Sequence, residues 1–203
     1  EDGTAWGFDL DHRVSTATDK EGCNKADLVT PDGMPGIDSA FSGMLPALEA
    51  TEAGAVEGLL LDSINNGQLL LLLEVSGINN INSDECVDFR LLRGMGTPMV
   101  GTDGYLLDGQ TLQVDPSLPN ASVACVPLQN GSLTATPFSM TLPLQVLDVA
   151  VELSMSDAAL RVDFAEDGTG WGYLSGNVPT TDILRIVEEE EDLADIRDLV
   201  VSL

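Results

Sequence analysis

The sequence predicts a mainly β protein, an antiparallel β-sandwich or barrel-like sheet with two short helices near residues 37–65 and a C-terminal helix. Three observations carry that prediction. From residue 68 onward, apolar runs of strand length recur between Pro and Gly residues. Val149, Val151, Leu153 and Met155 alternate with polar or small residues, as do Leu160, Val162 and Phe164. Apolar spacings of three and four mark residues 37–65 and the stretch after Pro179 as helical.

Taken in order, residues 1–36 are a polar lead rich in Asp, Gly, Thr and Pro, with one stretch, Trp6–Leu10, apolar enough for a strand. Ile37–Glu49 and Ala53–Asn65 read as helices. In the second, Val56, Leu60 and Ile64 recur every four residues, and Asn66-Gly67 supplies the stop. Leu69–Val75 is continuously apolar, which places it in the middle of a core. Further strands are expected at Cys86–Leu92, Met99–Thr102, Thr111–Val114, Ala121–Leu128, Ser132–Leu142, Leu144–Ser154 and Ala159–Phe164. Asn130-Gly131 suits a two-residue hairpin turn, and Ser156-Asp157 reads as the turn of a second hairpin. Pro127, Pro137 and Pro143 cannot donate ladder hydrogen bonds, so their strands are expected at sheet edges or to begin at the prolines. A final helix opens at Pro179-Thr180, with Ile183, Leu184, Ile186 and Val187 followed by Leu193, Ile196, Leu199 and Val200. The acidic run Glu188–Asp192 within it reads as a solvated face. The whole is expected to form one unit, 1–203: an acidic lead (1–36), a helical part (37–66), the strands (67–178) and the C-terminal helix (179–203).

The 203 residues include 34 acidic and 8 basic ones, a net charge of −26, which repels phosphate backbones and anionic lipid headgroups. Nucleic acid is therefore excluded as a partner, and a protein partner, self-association or a polysaccharide is expected instead. No apolar run reaches the roughly 18 residues of a transmembrane helix. A chain beginning at Glu1 fits a mature exported protein and a shortened one equally. Cys86 and Cys125 adjoin strand-like residues and can bridge neighbouring strands, leaving Cys23 in a polar loop; an entirely reduced set is the alternative.

Oxygen ligands are concentrated in the lead, where Asp9 and Asp11 are followed by Thr16, Asp19, Glu21, Asn24, Asp27, Asp32 and Asp38. Calcium takes six to eight oxygens at flexible geometry, and a bound ion would offset carboxylate repulsion and order a segment with little core. Asp9, Asp11, Asp19, Asp27 and Asp32 are the candidate ligands. A second oxygen-rich loop offers Asn80, Asn82 and Asp84, but Glu85 stands where an EF-hand loop needs Gly. Without an ion, both segments are Asx-turns and caps.

Catalytic signals are sparse. The single histidine, His12, adjoins Asp11, and GxSxG, GxGxxG and GxxxxGK[ST] are all absent. One His and three scattered Cys do not make a zinc site. A polysaccharide-acting hydrolase needs two facing carboxylates, and 34 acidic residues nominate no pair. Asn120-Ala121-Ser122 and Asn130-Gly131-Ser132 match the glycosylation sequon, though the second is better used as a turn.

Glu1–Phe8 and Glu166–Tyr173 echo one another as EDGTAWGF and EDGTGWGY, and both Trp residues of the chain lie in the echo. The two segments are expected to occupy equivalent places in the sheet, with Trp6, Trp171 and Tyr173 as candidate platforms for a sugar ring or as core plugs.

Pro31-Asp32-Gly33, Gly36-Ile37-Asp38, Leu45-Pro46 and the run Gly67–Glu74 resemble segments of exported proteins and lipoproteins from myxobacteria and related Gram-negative bacteria. The resemblance covers the first half of the chain. It implies an extracellular or cell-envelope location and brings no established activity. The expectation is a non-catalytic structural or adhesive domain, calcium-stabilised and able to assemble, with a carbohydrate- or apolar-ligand-binding module as the alternative.

Overall fold

A computed structural model describes residues 3–20, 25–40, 42, 56–117, 121–146, 149–189, 197 and 201. Two short strands in the lead, β1 (Leu28–Val29) and β2 (Pro35–Ile37), pair antiparallel. A helix, α1 (Val56–Asn65), leads to β3 (Leu71–Ser76), β4 (Ser83–Met95), β5 (Gln113–Val114), β6 (Ala121–Gln129), β7 (Ser132–Val146), β8 (Val149–Phe164) and β9 (Gly170–Asn177), and α2 (Thr180–Glu189) follows. The main sheet is antiparallel in the order β3-β4-β6-β7-β8-β9, with β5 added to the end of β4, and it curls into a half barrel. The barrel-like alternative is therefore the fold, rather than two stacked sheets.

Alternation along the strands builds the core. Val87, Phe89, Leu128, Leu133, Ala135 and Ala158 are fully buried on the inner face, joined by Leu91, Ala121, Val126 and Phe138. Each large side chain buried there contributes roughly 1.5–3 kcal/mol. The curl has a local cause, because the ladders slip by one residue at several places. The β4–β6 register shifts on both sides of Val87↔Val126, β7–β8 shifts around Phe138↔Ala158, and β8–β9 shifts between Ser156 and Ala159. Bulges bend a strand and increase its twist, and Cys125 (φ 56°) and Asp157 (φ 48°) take the left-handed conformation at two of them.

Several sequence expectations are corrected by this arrangement. Ser156-Asp157 is no hairpin turn: β8 runs through it, because the tolerance of Asp for positive φ serves a bulge as well as a turn. The reversal lies earlier, where Val146 pairs with Val149, so the expected strand Leu144–Ser154 is divided between β7 and β8. The Asn130-Gly131 turn between β6 and β7 is as expected, with φ of 53° and 73°. Leu69–Val75 is not central, since β3 is an edge strand with Leu71 and Leu73 exposed. Pro127 lies in the inner strand β6, next to the last β6–β7 ladder pair, Leu128↔Leu133, and beside a slip of the β4–β6 register. Pro137 and Pro143 lie where β7 pairs with β8 but no longer with β6, so the edge argument holds for them locally.

Met99–Thr102 forms only a bridge, Val100↔Leu106, and Trp6–Leu10 joins no ladder, although Thr4 bridges Val29. Ile37 ends β2 instead of opening a helix, and most of the expected helix to Glu49 lies outside the described residues. So do Cys23, Ala53–Ala55 and most of the segment after Glu189. Among the described residues no helix is long and apolar enough to cross a membrane.

Candidate functional site

Two places collect the residues singled out in the sequence. The first is the lead. Asp38 follows β2, and its Oδ2 accepts the backbone N–H groups of Leu10 (2.7 Å) and Asp11 (3.2 Å). Asp9 and Asp11 each accept from the Arg13 N–H, at 3.0 and 2.9 Å. One carboxylate oxygen from each of Asp9, Asp11 and Asp38 can be found within 4.8 Å of the others. Gly36 (φ 88°) makes the close approach possible, since a Cβ there would stand 3.1 Å from both Asp9 Oδ2 and the Arg13 carbonyl. Burial, opposed by the two amides, raises the Asp38 carboxyl above its ordinary range, and the charges of Asp11 and Asp27 add to the rise. A hard cation of oxygen preference would relieve that crowding.

The other expected ligands are employed elsewhere. Asp19 pairs with Arg13 (3.6 Å), and Asp27 accepts the N–H of the buried Ser15 (2.5 Å). Asp32 accepts from the Thr30 hydroxyl, and its charge acts on Arg161 and Tyr173 on β8 and β9. The second loop is a set of Asx-turns: Asn80 accepts from the Asn82 N–H, while Asp84 accepts from both nitrogens of Asn79 and from the Cys86 N–H. Those amides hold the Asp84 carboxyl below its ordinary range. Among the described residues, Asp9, Asp11 and Asp38 are the one such group, and Asp38 was legible in the sequence only as a member of the wider acidic run.

The second place is the outer face of β6–β9. The echoed segments meet there: Trp6 and Trp171 are in edge contact (4.8 Å between ring centroids), Trp6 stacks on Tyr173 (5.7 Å), and Phe8 leans on Tyr173 (4.9 Å). Trp6 and Trp171 remain 44% and 48% exposed, too open for core plugs. Cross-strand register extends the cluster into polar rows, Gln129–Ser132–Asp163–Trp171 and Thr134–Arg161–Tyr173. Arg161 donates from Nε to both oxygens of Asp163 (3.2 and 3.3 Å) and from Nη2 to Oδ1 (3.0 Å). Burial opposes the charge on Asp163, but the hydrogen bonds from Arg161 and Ser132 outweigh it and hold the carboxyl below its ordinary range. Burial raises the Tyr173 hydroxyl. Sequence reasoning missed Arg161 and Asp163, although both stand at the polar positions of the alternating run in β8.

On the same sheet, Cys86 and Cys125 form a disulfide between β4 and β6, with Cα atoms 4.1 Å apart. The two cysteines sit at neighbouring bulges, and the Cys125 N–H is taken up by Asp88 (3.2 Å). His12 is exposed in the lead. Set against models of known families, characterised proteins and solved structures, the chain matches none of them.

Proposed function

We propose that the chain is a non-catalytic domain of the cell exterior or envelope that acts by contact, in adhesion or in the assembly of a larger structure. The observation that carries this reading is the β3 edge. Leu71–Ser76 pairs with β4 on one side and with no described strand on the other, and Leu71 and Leu73 are 38% and 37% exposed. The strand contains no Lys or Pro and no bulge to discourage strand addition. The Cys86–Cys125 disulfide supports an oxidising compartment. The acidic trio supports calcium as the ion that steadies the lead. Sedimentation across a wide concentration range tests the reading: the wild type assembles above the monomer mass, and Leu73→Lys stays monomeric. A wild type that is monomeric throughout contradicts assembly.

A binding module for carbohydrate is the second reading, favoured by the half-exposed rings of Trp6 and Trp171.

A further inference from the structure

We infer that the outer face of β6–β9 is a binding strip for an uncharged polysaccharide chain. The inference rests on the domain acting by contact and adds to that reading a ligand class and the residues that meet it. Neighbouring strands are about 4.8 Å apart, so a row crossing four of them spans about 14 Å. Such a row suits a chain of rings better than a single small molecule. At one end stand Trp6, Trp171 and Tyr173; at the other a shallow groove of about 340 Å³ is lined by Pro127, Gln129, Asn130, Ser132, Thr134 and Arg161. Arg161 belongs to both, as a groove wall and as the cross-strand neighbour of Tyr173.

The chemistry of the strip selects among ligands. The rings touch one another at 4.8–5.7 Å, which leaves no gap for a cation between them, so they form no cage; Trp6 and Trp171 cross at 72° and stay 44% and 48% exposed. A sugar ring offers an apolar C–H face to a half-exposed indole and hydroxyls at its rim to amides, hydroxyls and a paired guanidinium and carboxylate. An apolar ligand would strand Gln129, Ser132 and Thr134 without water. An anionic one meets a guanidinium already neutralised by Asp163, the nearby charge of Asp32, and a chain of net charge −26.

Affinity electrophoresis of the full chain through gels containing galactomannan, glucomannan, dextran or soluble starch, with alginate as the anionic control, tests this. At least one neutral polymer retards the wild type, and alginate does not. Because both Trp residues are in the cluster, the same polymer shifts the intrinsic emission. Trp171→Ala weakens retardation by on the order of tenfold or more, and Gln129→Ala by less, while Tyr105→Ala, at an exposed ring in the 101–106 loop, leaves it unchanged. Failure of all four neutral polymers with unchanged emission overturns the inference. So does tighter binding of alginate, or retention unaffected by both Trp171→Ala and Gln129→Ala. A chain that assembles through β3 but binds no polymer removes the strip alone; one that does neither removes the contact reading as well.

Discussion

The inner face of the half barrel and the N-terminal lead are held by opposite means. Inside the sheet, Val87, Phe89, Leu128 and Leu133 are removed from water and backbone groups pair in ladders. In the lead, beside the short β1–β2 pair, carboxylates take up backbone donors: Asp9, Asp11, Asp27 and Asp38 accept the N–H groups of residues 10, 11, 13 and 15. Its apolar anchor is small, consisting of Ile37, which Gly7 approaches closely, and the rings of Trp6 and Phe8 against β9. One region is stable through area, the other through hydrogen bonds to charge. The two therefore respond to different perturbations, and the chain supplies a probe for each. Far-ultraviolet circular dichroism reports the sheet, and the emission of Trp6 and Trp171 reports the seam where the lead meets β9.

The largest expected effect is in the core. Phe89→Ala empties a fully buried site in contact with Phe138 and lowers unfolding stability by about 4 kcal/mol, measured by urea titration. Both probes shift together, since the lead has no support once the sheet melts. A change confined to the Trp signal would show that Phe89 supports the lead and not the sheet.

Next comes the bridge between β4 and β6. Replacing Cys86 and Cys125 by Ser opens a crosslink between residues 39 apart in sequence and costs up to about 4 kcal/mol, by a chain-entropy argument. This loss too falls on the sheet, and the midpoint for dichroism moves at least as far as that for emission.

The smallest effect belongs to the lead and depends on pH. Burial first, and then the charges of Asp11 and Asp27, raise the Asp38 carboxyl above 3.8, against the amides of Leu10 and Asp11. Charging it costs the folded chain more than the unfolded one, so its contribution to stability is fully present below the ordinary value and lost as pH rises through the raised one. Asp38→Asn keeps an oxygen for the two amides and removes the charge. The stability of the variant relative to wild type therefore increases as pH rises through that window, read from Trp emission at successive pH values. Equal pH dependence in the two proteins would remove Asp38 as the crowded group.

What the sequence made legible follows the same division. The strand-rich body, the Asn130-Gly131 turn and the terminal helix starting at Thr180 were readable because alternation, turn chemistry and helix start signals are local. The bulge at Asp157 was not, because a residue that tolerates positive φ looks the same in a turn and in a slipped ladder. The place of β3 was not either, since an apolar run does not say how many neighbours it has. In the lead, the sequence offered a run of acidic residues from which geometry draws Asp9, Asp11 and Asp38 together and assigns Asp19, Asp27 and Asp32 to Arg13, Ser15 and Thr30. The echo around Trp6 and Trp171 was visible as text, but that its two halves touch depends on long-range folding.

How the lead is held is tested most directly by thermal unfolding followed by Trp emission in excess EDTA and then in millimolar calcium, with magnesium as control. Binding to the folded state alone stabilises it by about 2.7 kcal/mol when free calcium is a hundredfold above its dissociation constant. An ion held by the acidic trio gives a calcium-specific rise in the emission midpoint that disappears when Asp9 and Asp11 are both replaced by Asn. Identical curves in EDTA and calcium would contradict it, leaving the lead held by its carboxylate-to-amide bonds, the β1–β2 pair and its small apolar anchor.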